Sequence, residues 1–183
     1  GTFDTSTGIT YFGYYTANNS TVLIDGNGST WKLAALQGST PAGTNNTITA
    51  SNFGKITGSS TFSLGGTGTT PGNTLNIFSG SQISVSGSVT LGNTGNAFNL
   101  GDGGSTLSTA LVNAITLTGT NALLNINNGR LIENSTNTLV SGTGLIRLVG
   151  PAYLSSASGV TATITSTIVD RKSTRLKSSH IPL

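Results

Sequence analysis

Cysteine and methionine are both missing from this 183-residue chain, and charged residues make up only 7% of it, against roughly 25% in ordinary soluble domains. Without cysteine there is no disulfide framework and no thiolate metal site. No apolar run approaches the roughly 18–20 residues that a membrane-spanning helix needs, and no signal peptide opens the chain. Five acidic residues and one histidine leave little material for acid–base or metal chemistry. Scarce charge does not by itself mean disorder, which couples high net charge to low hydrophobicity; here 34% of residues are hydrophobic.

Glycine, serine, threonine and asparagine dominate what is present. The 26 glycines suit tight corners, and the many Val, Ile and Thr residues suit pleated, half-buried strands. That combination predicts an all-β chain with many turns, long enough for one domain with a sizeable core.

The positive charge is unevenly placed. Four of the eight Lys and Arg residues are Arg171, Lys172, Arg175 and Lys177, with the single histidine, His180, beside them. The rest of the chain sets four cations (Lys32, Lys55, Arg130, Arg147) against five acids (Asp4, Asp25, Asp102, Glu133, Asp170). A basic arm after a neutral domain would ordinarily suggest contact with nucleic acid. However, residues 170–180 resemble the translation of a common short-read sequencing adapter at ten of eleven positions, with Lys177 where the adapter has Asn. Residues 170–183 are therefore expected to be a non-native, adapter-derived, disordered tail, and no nucleic-acid partner is read from them. Residues 1–169 are expected to be the folded segment, an uncapped fragment of a longer array, since neither end has the look of a natural boundary.

Self-similarity organises that segment. An Asn-(Ala/Thr)-apolar signature recurs at Asn46-Thr47-Ile48, Asn73-Thr74-Leu75, Asn96-Ala97-Phe98 and Asn121-Ala122-Leu123, at intervals of 27, 23 and 25 residues. Between these anchors, short alternating runs are broken by glycine: Asn73–Phe78 before Gly80, Gln82–Val85 before Gly87, Ser88–Leu91 before Gly92. Three strands of about four residues per unit of roughly 24 is the arithmetic of a parallel β-helix (β-solenoid) of about six coils. Alternation aims Leu75, Ile77, Ile83, Val85, Val89 and Leu91 at a shared interior, and the anchor asparagines are expected to stack as hydrogen-bonded ladders. A Greek-key sandwich also has short strands and glycine turns. It lacks a recurring anchor, and it usually has a more aromatic core than eleven aromatics, five of them before residue 16, would build.

The segment Val22–Trp31 (Val-Leu-Ile-Asp-Gly-Asn-Gly-Ser-Thr-Trp) resembles the V-x-V-x-G-x-G-S-x-W stretch of β-strand repeats associated with type V secretion and PEP-CTERM proteins. Asn73–Gly80 is similar to their N-T-L-x-I-x-x-G strand, and Asn96–Gly104 and Leu117–Ile126 resemble the same autotransporter-type arrays; the likeness covers about residues 18–165. It implies a large bacterial surface-attached or secreted protein built mostly of such coils. The chain carries no membrane β-barrel and no C-terminal sorting signal, so the anchoring route is left open.

Parallel β-helices include polysaccharide lyases and hydrolases, whose chemistry needs converging carboxylates or calcium held by several acids. The five acids here are scattered in sequence. Asp25-Gly-Asn-Gly28 and Gly101-Asp-Gly-Gly104 have no second acid, so they read as corners in which Asp bonds its own backbone. No catalytic, cofactor or metal residue is therefore assigned. The candidate binding patch is aromatic: Tyr11, Phe12, Tyr14 and Tyr15, with Trp31 as a possible sugar-stacking platform. The competing expectation for Trp31 is core packing, and for the tyrosine cluster it is cover by a preceding coil. The expected role is a structural or adhesive stalk at the cell surface or outside the cell. Its expected contacts are adjacent coils and, weakly and multivalently, surface polysaccharide or other cells, without membrane insertion. The alternatives are a non-catalytic part of a carbohydrate-active β-helix enzyme, and a tailspike-like phage fibre, which would show an apolar seam for trimerisation.

Overall fold

A computed structural model describes residues 1–15, 17–38, 43–65, 71–92, 95–134 and 138–170. The basic segment 171–183 lies outside the described residues. Among the described residues, every regular element is a strand. β1 (Thr2–Phe12) is followed by six coils, each opening with a short strand on one face and then crossing two further faces. These are β2 (Thr21–Asp25) and β3 (Thr30–Gly38); β4 (Thr47–Ser51), β5 (Lys55–Gly58) and β6 (Phe62–Leu64); β7 (Thr74–Ile77) and β8 (Gln82–Leu91). Next come β9 (Ala97–Leu100) and β10 (Ser108–Leu117); β11 (Leu123–Ile126), β12 (Gly129–Glu133) and β13 (Thr138–Gly142); β14 (Leu145–Leu148), β15 (Ala152–Ser156) and β16 (Thr163–Ile164); β17 (Thr167–Asp170) follows.

The short strands β2, β4, β7, β9, β11, β14 and β17 form a seven-stranded sheet, and the others a ten-stranded one. Both sheets are parallel, each strand pairing with its equivalent one coil away. This is a parallel β-helix. Along the first face Thr21, Thr47, Thr74, Ala97, Leu123, Leu145 and Thr167 lie in register, at steps of 26, 27, 23, 26, 22 and 22 residues. The coil of about 24 residues expected from the repeat is borne out.

Two details differ from the sequence reading. First, the fourth asparagine anchor is one residue out of register: Ala97 pairs with Leu123, so the partner of Asn96 is Ala122, and Asn121 is exposed. The reason is burial. Aligning Asn121 with Asn96 would turn Leu123 and Asn125 inward; the observed register buries Leu124 and Ile126 instead. A one-residue slip exchanges the two faces of a strand, so the apolar pair decides.

Second, two of the three faces are carried by a single bent strand in several coils. β8 and β10 each run ten residues, with a register irregularity between Val112 and Ala114. The bend in β8 falls at Gly87, where an added Cβ would lie 2.6 Å from the Ser60 carbonyl, so only glycine fits. The stretch Ser108–Val112, unread in the sequence, supplies the second face of that coil.

The interior is a set of straight columns. Val22, Ile48, Leu75, Phe98, Leu124, Ile146 and Ile168 form one; Phe3, Trp31, Ile56, Ile83, Ala110, Leu131 and Leu154 form another. The six inward residues expected from alternation are all buried. Sizes compensate along a column: Gly38 sits between Phe12 and Leu64, and a Cβ there would be 2.5 Å from Leu64 Cδ2. Each fully buried aliphatic side chain contributes about 1.5–3 kcal/mol, and no coil can bury its columns without a neighbour.

Candidate functional site

The five aromatic residues of the candidate patch separate into two groups. Phe12 and Trp31 point inward, Trp31 at 2% exposure. Trp31 packs beside Phe3 at 6.2 Å between ring centroids, and its Nε1 donates to Thr5 Oγ1 at 3.3 Å. It is a core residue, not an exposed stacking platform. Tyr11, Tyr14 and Tyr15 are exposed and in contact, with centroids 5.0 Å apart for Tyr11–Tyr14 and 4.4 Å for the edge-on Tyr14–Tyr15 pair. Tyr14 holds its proton more tightly than a free tyrosine, chiefly through its hydrogen bond with Tyr15 and then through that neighbour's charge.

The corner that carries these rings is held by the first asparagine ladder. Ser20 N donates to Asn46 Oδ1 at 2.8 Å, Asn46 N to Asn73 Oδ1 at 3.0 Å, and Asn73 N to Asn96 Oδ1 at 2.9 Å. The three asparagines are fully buried. At the top of this ladder Asn46 Nδ2 donates to Ala17 O at 3.0 Å, and Ala17 N closes a turn onto Tyr14 O at 3.2 Å. Gly13 turns the chain here with a φ of +64°, and a Cβ on it would lie 2.3 Å from Asn46 Nδ2. Buried amides thus fix the backbone beneath the exposed tyrosines.

Register places Tyr11 at the head of an outward column that continues through Gln37, Ser63, Thr90, Thr116 and Ser141. Nothing in the sequence marks this column, because its members become neighbours only when the coil lengths are known. A second outward column, on the first face, does bond to itself. Asn125 Nδ2 donates to Asn99 Oδ1 at 2.7 Å, Asn99 Nδ2 to Asn76 Oδ1 at 2.8 Å, and Asn76 Nδ2 to Thr49 Oγ1 at 3.1 Å.

The acids are dispersed. Asp25 and Asp102 close corners: Asp25 Oδ1 accepts from Ser51 Oγ at 2.6 Å and Asn52 Nδ2 at 2.8 Å. Asp102 accepts from Ser79 Oγ at 2.6 Å and Gly104 N at 2.9 Å. Those bonds, led by the Ser51 and Ser79 hydroxyls, hold both carboxyls below the ordinary aspartate value. Their corners lie three coils apart, roughly 14 Å at the ~4.8 Å strand spacing. Asp4 caps Ser6, Glu133 is buried inside between Val112 and Ser156 in register, and Asp170 ends β17, paired with Leu148. Among the described residues no three His, Cys, Asp or Glu side chains are grouped to hold a metal ion. A cleft of about 520 Å³ lies at the first coil, lined by Phe3, Val22, Ile24 and Trp31 among others; its one acid, Asp25, is the corner residue already bonded to Ser51 and Asn52.

No protein-family model, curated protein or solved structure matches the chain.

Proposed function

We propose that this chain is a structural stalk segment of an exported bacterial surface protein, in which stacked coils hold partner-binding groups away from an anchor. The observation that carries this reading is the use of the polar residues: buried and outward asparagines, and the two corner aspartates, are bonded coil to coil. These side chains thus serve the stacking. Six coils at the ~4.8 Å strand spacing give a rod of roughly 30 Å, and each further coil lengthens it without a new fold. The resemblance to type V secretion and PEP-CTERM-associated repeats supports export.

The reading assigns no catalytic step to this segment. The carbohydrate-active enzyme alternative calls for carboxylates converging on a groove, whereas Asp25 and Asp102 sit at separate corners. The tailspike alternative calls for an apolar seam along the length. Apart from the tyrosines, the large exposed apolar side chains among the described residues fall at β1 and the first coil (Phe3, Ile9, Leu23) and at the last turns (Leu154, Val169), with Phe53 between them.

The test is to label intact cells that carry the gene with antibody to residues 1–169, with and without external protease. Surface signal lost on protease treatment is the expected result. Signal only after the cells are broken open contradicts the proposal.

A further inference from the structure

We propose that the tyrosine corner and the outward column it heads bind a neutral, extended, β-linked polysaccharide lying along the solenoid axis. The proposal rests on the stalk reading, in which this long face is presented to solvent.

Three observations converge on that ligand class. Tyr11, Tyr14 and Tyr15 put three rings together at exposures of 45% to 61%, apolar faces with polar tips. Such a surface suits a pyranose, whose ring faces carry C–H groups and whose rim carries hydroxyls. The column below Tyr11 holds Gln37, Ser63, Thr90, Thr116 and Ser141, one amide and four hydroxyls, all exposed or half-buried. These side chains make no hydrogen bond to another described residue, whereas the asparagine column of the first face is bonded along its length. They recur once per coil in register, at about 4.8 Å, so an extended chain laid along the axis meets a polar group at every coil.

Charge selects among ligands. The corner (Tyr11, Tyr14, Tyr15) and the column below it contain no Asp, Glu, Lys, Arg or His. A nucleic acid or sulfated glycan would find no cation to replace its counterions. A helical glucan curves away from a straight column, while an extended β-1,4 chain can follow it.

The experiment titrates the full 183-residue chain with cellohexaose, with maltohexaose and heparin as comparisons, following tyrosine ring signals by NMR. Binding of cellohexaose in preference to both comparisons, with shifts centred on Tyr11, Tyr14 and Tyr15, is expected. Tyr11→Ala and Tyr14→Ala should each weaken it roughly tenfold, and Thr90→Val about threefold. Circular dichroism of each variant checks folding, and Thr90→Val carries the test should a tyrosine variant fold poorly. Equal or tighter binding of heparin, undiminished binding by the variants, or no response to cellohexaose would each overturn the site. A chain exposed on cells yet indifferent to cellohexaose removes this proposal alone; a chain confined within them removes the stalk reading.

Discussion

Asn73 and Asn121 share a signature in the sequence, and the structure gives them opposite duties. Asn73 is fully buried, accepts from Asn46 N, and donates to Gly43 O at 3.3 Å and Asn96 Oδ1 at 3.0 Å. Asn121 is exposed with its side chain outside the ladder. Removing a buried amide strands its partners, so Asn73→Ala should cost about 2–4 kcal/mol. Asn121→Ala should stay within about 0.5 kcal/mol of wild type. Urea denaturation midpoints of the two variants check this directly, and equal losses would refute the register described. The corner aspartates make a second prediction. Asp25 and Asp102 are held below the ordinary value of 3.8 by bonds to their ionised forms. A carboxyl with a depressed folded pKa adds stability that is present above its unfolded value and is lost as pH falls through the folded one. The melting temperature should therefore fall as pH drops below about 4, and less steeply in the Asp25→Asn/Asp102→Asn double variant. Unchanged steepness would show that these corners do not carry the acid response.

At the scale of elements, strands were legible wherever apolar residues alternate without a break, as in β7 and both halves of β8. Ser108–Val112 was not, because its small inward residues, Ser108 and Ala110, blur the alternation that marks a strand. The continuity of β8 and β10 across two faces was also hidden, since Gly87 reads as a terminator and acts as a bend. Corners differ from strands in what they tolerate. β9 is joined to β10 by residues 101–107, whereas β11 reaches β12 through Asn127 and Asn128 alone. A Gly-Ser insertion between Gly104 and Ser105 should cost less than about 1 kcal/mol, since longer loops lose little closure entropy. One residue inserted between Thr109 and Ala110 reverses which side chains of β10 face the core, and should cost several times as much. Thermal melts of the two insertions check the contrast, and similar losses would mean that β10 is not held between two neighbours.

For the whole molecule, the solenoid was readable because every coil repeats the same problem: an apolar set that only a neighbour can cover. Coil number and average length followed from that repeat. The candidate site was readable only in part. Clustered aromatics before residue 16 drew attention to Tyr11, Tyr14 and Tyr15, but composition cannot separate outward rings from Phe12 and Trp31, which burial separates. The polar column under Tyr11 joins residues from five turns of chain whose spacings vary, so no motif announces it. The absence of cysteine makes the stacking of the first face in this register directly testable. Ala97→Cys with Leu123→Cys places two thiols on directly paired residues, within the Cα range of about 4.4–6.8 Å that a disulfide spans. Ala97→Cys with Ala122→Cys follows the register of the repeated asparagine signature and puts one thiol outside and the other inside. Oxidation followed by mass measurement of both pairs decides between them. Rapid closure of the 97–123 pair and little of the 97–122 pair is expected; equal closure, or closure of the second pair alone, would contradict this register.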